Sequence, residues 1–149
     1  MGWLDPLRNT VVGLDTAPLI YFIEKNPTYY GTLLPFFEVV HNGGIQVVTS
    51  TLTLTEVLVL PYRSGNQKLA FEYTKILLNS PNLTILPVSN SIATAAARVR
   101  AAYGYKSPDA IQIATAQEGN AKAFLTNDSS LKSIPAMQVL QLDQLRGKP

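Results

Sequence analysis

Five short apolar runs, separated by longer stretches with helical spacing, constrain the fold of this chain more than any other feature. Residues 10–14 (TVVGL), 45–49 (IQVVT), 83–86 (LTIL), 123–126 (AFLT) and 137–142 (MQVLQL) have the length and aliphatic content of buried strands. Between the first two, Asp15-Thr16 and Pro18 form a helix-start signal, followed by Leu19, Ile20, Phe22 and Ile23 at helical spacing. Residues 30–41 read as a second helix, closed by Gly43-Gly44. Residues 51–62 and 67–78 read as two more, separated by Pro61 and Ser64-Gly65. Residues 91–103 form an alanine-rich helix ended by Gly104, with Ala93, Ala95, Ala96 and Ala97 small enough for close packing. Ser107-Pro108-Asp109 opens a further helix with cap, N1 proline and first-turn acid in the favoured order. Alternation of this kind predicts an α/β fold, a three-layer α/β/α sandwich around a mostly parallel sheet. No linker, repeat or low-complexity segment divides residues 1–149, which read as a single domain. In open sheets of this class ligands bind outside the carboxyl ends of the strands.

Composition limits the chemistry available there. The chain has no cysteine, which removes thiolate nucleophiles and thiolate zinc sites. Its one histidine, His41, precedes Asn42-Gly43-Gly44 and reads as an exposed helix end, so a His-rich metal site or a Ser-His-Asp triad is hard to assemble. Charged residues are only 15% of the chain, so each carboxylate is informative; the net charge of +2 does not by itself signal nucleic-acid binding. Residues 1–6 lack the charged and apolar regions of a signal peptide, and Pro6 stands where a myristoylation signal requires Ser or Thr. No apolar run is long enough to span a bilayer. The expected compartment is the cytoplasm.

Three acids fall where the sheet rule points, and the start of a helix is expected to bring a fourth to the same rim. Asp15 follows the first strand, Asp128 the fourth; Glu56 lies in the helix after the second; Asp109 opens the helix that leads into the fourth. Each has an ordinary reading. Asp15 and Asp128 suit helix N-caps, Asp109 complements a helix dipole, and Thr53-x-x-Glu56 matches a capping box. Glu56 resists this better, because its sequence neighbours are almost all apolar. Asp5, Glu24, Glu38, Glu72, Glu118 and Asp143 read as solvated surface. Together the four change the argument. Two carboxylates about 5 Å apart repel by roughly 3 kcal/mol at an effective dielectric near 20. Four at one rim call for a cation, and hard oxygen donors select Mg²⁺ or Mn²⁺. Such an arrangement suits phosphodiester cleavage, one ion activating a water and another stabilising the leaving oxygen.

The segments that carry these acids resemble, in order, the motifs of PIN domains, and most of all the VapC-like toxins of bacterial toxin–antitoxin pairs. They are Val11-Val-Gly-Leu-Asp15-Thr, Thr55-Glu56-Val-Leu, Lys106-Ser-Pro-Asp109-Ala-Ile-Gln-Ile-Ala-Thr-Ala116 and Phe124-Leu-Thr-Asn-Asp128. The third and fourth are the specific ones. The resemblance implies a Mg²⁺- or Mn²⁺-dependent ribonuclease yielding a 5′-phosphate and a 3′-hydroxyl, with Asp15, Glu56, Asp109 and Asp128 as catalytic and metal-binding residues. It places Thr126 as support for the acidic set, a role Thr16 shares as an alternative to helix capping. It also implies an RNA substrate and a cognate antitoxin. Two positions depart from the pattern: Ser130 stands where many relatives have a further Asp, and Gln112 where relatives often have His.

Arg98, Arg100 and Lys106 form the densest basic cluster and are the candidates for RNA contact, against the ordinary reading of solvated helix faces. Tyr29, Tyr30, Tyr62, Tyr103 and Tyr105 are candidates for base stacking. Leu19, Ile20, Phe22 and Ile23, then Leu33, Leu34, Phe36 and Phe37, exceed one core stripe, which predicts a homodimer or antitoxin interface on the first two helices. The alternative to an enzyme is a catalytically weak or inactive PIN-like module that binds RNA or protein, to which Ser130 and the mild charge point. A receiver or Asp-nucleophile phosphatase is disfavoured, since Asp15-Thr16-Ala17 lacks the acidic pair or Asp-x-Asp either requires.

Overall fold

Strand and helix follow one another through the computed structural model, which describes residues 2–148. The strands are β1 (Val11–Leu14), β2 (Gln46–Ser50), β3 (Leu83–Leu86), β4 (Ala123–Thr126) and β5 (Gln138–Gln141). The helices are α1 (Thr16–Ile23), α2 (Tyr30–His41), α3 (Thr51–Ser64), α4 (Gln67–Asn79), α5 (Asn90–Tyr103), α6 (Ser107–Glu118) and the short α7 (Leu142–Leu145). The strands form one sheet in the order β3-β2-β1-β4-β5, every pair parallel. The chain leaves β1 toward β2 and leaves β4 toward β5, so adjacent β1 and β4 feed connections in opposite directions. Their carboxyl ends therefore flank a topological switch point, where open sheets leave a crevice.

Side-chain alternation along the strands builds a core on each face. Val12, Leu14, Val47, Ala123 and Leu125 pack with Leu19, Leu33, Phe36, Phe37, Tyr73 and Leu77 from α1, α2 and α4. Val48 and Phe124 pack with Ile92, Val99, Ile113 and Ala114 from α5 and α6 on the other face. Gly13 sets the seat of α6. A Cβ there would lie 2.5 Å from the Cβ of Ala116 and 3.0 Å from Cδ1 of Phe124, so only glycine admits the helix this close to the middle of the sheet.

Several sequence expectations need correction. Pro61 does not end a helix: α3 continues to Ser64, and Gly65 stops it at φ 72°. Proline lacks one donor, but its ring is buried and the loss falls near the end of the helix. Of the four small residues in α5, only Ala96 is buried and Ala95 half-buried. Ser107 is not the cap of α6; Lys106 occupies that position, and the Ser107 hydroxyl accepts from Arg100 at 3.0 Å. Half of the apolar residues singled out on α1 and α2, Leu19, Leu33, Phe36 and Phe37, are used in the core. Ile20, Phe22, Ile23 and Leu34 remain half-buried, the first three packed against it. Most of the large exposed apolar side chains lie on α3 and α4, with Leu60 64% and Phe71 67% accessible. Glu24, though exposed, accepts a hydrogen bond from the buried Tyr73 hydroxyl and is not merely solvated. Among the described residues no helix is long and apolar enough to cross a membrane.

Candidate active site

Asp15 is the first residue beyond β1, and its backbone N–H still reaches Leu125 O on β4 at 3.0 Å. The ladder thus holds it at the switch point. Its Oδ1 accepts from Thr16 N at 2.8 Å, capping α1, and its Oδ2 accepts from the Thr126 hydroxyl at 2.7 Å. Thr126, fully buried at the end of β4, also accepts the Asp128 N–H at 3.1 Å. One hydroxyl therefore ties two of the acids together. Asp128 is not a helix cap. Its Oδ1 closes a turn by accepting the Ser130 N–H at 2.9 Å and the Ser130 hydroxyl at 2.7 Å. Ser130 thus fixes a neighbouring carboxylate rather than adding another.

Glu56 arrives from α3 and takes the Thr16 hydroxyl on Oε1 at 2.6 Å. It is exposed at the rim, so the apolar burial expected from its sequence neighbours is not where it sits. Of those neighbours Val57, Leu54 and Leu58 turn toward the core, while Glu56 faces α1. The capping box weighed as the ordinary reading of Thr53 and Glu56 is not formed: Ser50 caps α3 by accepting from Leu52 N, and Thr53 is buried beneath the site. Asp109 stands in the first turn of α6 and makes no side-chain hydrogen bond among the described residues.

Asp15, Glu56, Asp109 and Asp128 line one cavity of about 300 Å³, with Thr16, Gln112 and Asn127 between them. Their electrostatics register this proximity. Burial pushes the Asp15 carboxyl above its ordinary range against the opposing Thr126 and Thr16 hydrogen bonds, and the Glu56 and Asp128 charges add to the rise. Burial likewise raises Asp109, followed by the charges of Asp15, Asp128 and Glu56, with Lys106 opposing. The four share a wall without closing on a point. Among the described residues no three His, Cys, Asp or Glu side chains form a group that could hold a metal ion as they stand.

The basic cluster lies outside this cavity. Arg100 is occupied at the α5–α6 junction, donating to Tyr105 O at 2.9 Å and to Ser107, while Arg98 and Lys106 are exposed. The tyrosines mostly pair with other rings: Tyr29 stacks on Tyr21, Tyr30 on Phe22, and Tyr103 on Tyr105, leaving Tyr62 exposed. The sequence reading passed over Thr49 and gave Thr53 and Gln112 no place in the site, although all three are buried and polar under the acids. A polar residue at position 112, one turn beyond Asp109 on the same face of α6, was the signal available.

No curated protein sequence matches this one. Solved structures do resemble it. VapBC2 from Rickettsia felis, bound to a promoter DNA fragment, superposes with TM-score 0.67 at 20% identity, over 88% of this chain and 98% of the other. FitAcB from Neisseria gonorrhoeae gives 0.65 at 19% identity, over 91% and 99%. Mycobacterium tuberculosis VapC20, described as a sarcin-ricin-loop-cleaving toxin, gives 0.64 at 17% identity, over 87% and 99%. At these identities the likeness establishes the fold. The sequence model of the PIN domain matches residues 12–137, from the first strand to the edge of the last, and the chain belongs to the PIN domain family.

Proposed function

We propose that this PIN domain is a Mg²⁺- or Mn²⁺-dependent endoribonuclease, in which Asp15, Glu56, Asp109 and Asp128 hold the catalytic cation, and that it is the toxin of a toxin–antitoxin pair. One observation carries the reading: four carboxylates from four separate segments face a single cavity at the switch point of the sheet. The donor set fits the ion, since all four are hard oxygens and their mutual repulsion is relieved by a divalent charge. A cation held there would supply an activated water and neutralise charge building on the phosphodiester. The chain's own residues do the rest. Thr126 and the Thr16 N–H orient Asp15, the Thr16 hydroxyl orients Glu56, and Ser130 orients Asp128.

Asn127 also lines a wider cleft of about 710 Å³, shared with Tyr29, Lys132 and Gln144. Among the described residues Lys132 makes no ion pair. It offers an RNA strand a positive contact beside a cavity that would otherwise repel it. The family's nuclease character and the toxin–antitoxin complexes among the similar folds support the activity and the antitoxin partner. A homodimer and action in the cytoplasm belong to the same reading.

The test is cleavage of single-stranded RNA by purified protein with Mg²⁺, Mn²⁺ or EDTA. We expect metal-dependent cleavage that Asp15→Asn reduces at least about a hundredfold, in line with removal of a central charge-stabilising group. Equal cleavage by the two proteins would overturn the site. RNA binding by both, with no cleavage under any metal, would instead mark a non-catalytic binding module, the reading favoured by the four acids not closing on a point.

A further inference from the structure

We propose that Gln112 is a positioning residue, whose amide fixes the direction in which the Thr16 hydroxyl donates and so holds Glu56 in place. The inference rests on the cation reading of the cavity above. Gln112 Nε2 donates to Thr53 Oγ1 at 2.7 Å and to Thr16 Oγ1 at 3.3 Å. Thr53 Oγ1 meets Thr49 Oγ1 at 2.8 Å, and Thr49 donates to Leu14 O at 2.9 Å.

The direction of this network follows from its ends. A backbone carbonyl only accepts, so Thr49 spends its single hydrogen on Leu14. The short contact between Thr49 and Thr53 then needs the Thr53 hydrogen. At the other end the Thr16 hydrogen is spent on Glu56 Oε1. Both hydroxyls facing residue 112 have therefore given their protons away, and each has only lone pairs to offer. The group facing them must be a double donor, which an amide nitrogen is and an amide oxygen is not. Turned the other way, Gln112 would set oxygen lone pairs against oxygen lone pairs at both threonines.

The same logic accounts for an otherwise odd feature. Gln112 Oε1 is buried with no hydrogen-bond partner. The amide leaves its oxygen unpaired because both of its N–H bonds are committed to the threonines. Helix α6 makes this possible: positions 109, 112 and 116 share one face, and the close seating of Ala116 on Gly13 brings Gln112 to the floor of the site. Without the amide, the Thr16 hydroxyl is free to donate to Thr53, 3.4 Å away, instead of to Glu56.

The experiment is Mn²⁺ binding, followed by titration calorimetry on folded protein without RNA. Gln112→Met keeps the length and removes both donors, and Thr16→Val keeps the shape and removes the hydroxyl. Each is expected to weaken Mn²⁺ binding about tenfold, the lower end of what loss of a ligand-orienting partner does. Gln112→His, which keeps one N–H donor of the two, should recover part of the loss. Because Gln112 acts through Thr16, the double variant should bind no more weakly than Thr16→Val alone. Full Mn²⁺ affinity in either single variant, or losses that add in the double variant, would overturn the positioning role and leave the nuclease reading standing. Should Gln112→Met not fold, unaltered binding in Thr16→Val still overturns the proposal, because among the described residues the Thr16 hydroxyl is what joins Gln112 to Glu56. Wild-type protein that binds no Mn²⁺ would overturn both.

Discussion

Asp15 serves the fold and the site with the same side chain. Its carboxylate caps α1 and anchors on Thr126, yet burial and two like charges make its ionised form costly. Asparagine keeps the capping oxygen and drops the charge. In EDTA we therefore expect Asp15→Asn to be more stable than wild type by about 1–2 kcal/mol, the scale of a like-charge repulsion at roughly 10 Å and an effective dielectric near 20. Denaturant unfolding with and without Mn²⁺ checks this, and a variant less stable than wild type in EDTA would contradict it. At this scale the acids at element ends were legible in the sequence, because strand termini and helix starts announce themselves locally. Gln112 was not. It registered only as a departure from a family pattern, since its partners Thr16 and Thr53 lie far away along the chain.

Helix α6 depends on a contact made by no functional residue. The Gly13–Ala116 approach leaves no room for a methyl group on β1. Gly13→Ala is expected to destabilise the protein by about 1–3 kcal/mol, the usual range for overpacking a rigid interior. It should also weaken Mn²⁺ binding, because Asp109 and Gln112 shift with the helix. Adding Ala116→Gly to Gly13→Ala should recover part of both losses, although glycine costs the helix about 1 kcal/mol of its own. Thermal melts and Mn²⁺ titrations of the single and double variants test this, and Gly13→Ala with wild-type stability would refute the close-packing argument. Helix boundaries show where local reading stops. Gly65 and Gly104 end α3 and α5 as their conformational freedom allows, at φ 72° and 74°. Pro61 does not end α3, because burial of its ring and the surrounding packing outweigh one missing donor.

For the molecule as a whole, the acidic cavity makes stability conditional on ions. Four acids face it within a chain of net charge +2, so the repulsion is local and global charge does not relieve it. A ligand that binds only the folded state at about a hundred times its dissociation constant adds roughly 2.7 kcal/mol. For a domain of this size that corresponds to a rise in Tm of about 5–10 °C. We expect Mn²⁺ to produce such a rise in wild type and little in Asp15→Asn, measured by scanning calorimetry. No rise in wild type would remove the cation from the site. The apolar side chains exposed on α3 and α4 are the other property of this scale, and they are not the ones the sequence picked out.

By itself the sequence determined the strand–helix alternation, the parallel sheet it requires and the edge at which carboxylates would collect, because periodicity and element termini are local properties. The tertiary structure decided which side chains outside those termini matter. Gly13 and Ala116, Gln112 and Thr16, and Thr126 and Asp15 meet only after β1, α6 and β4 have packed. Which apolar residues are consumed by the core was settled in the same way, since a helix's spare hydrophobic face is defined only by the neighbours that cover it.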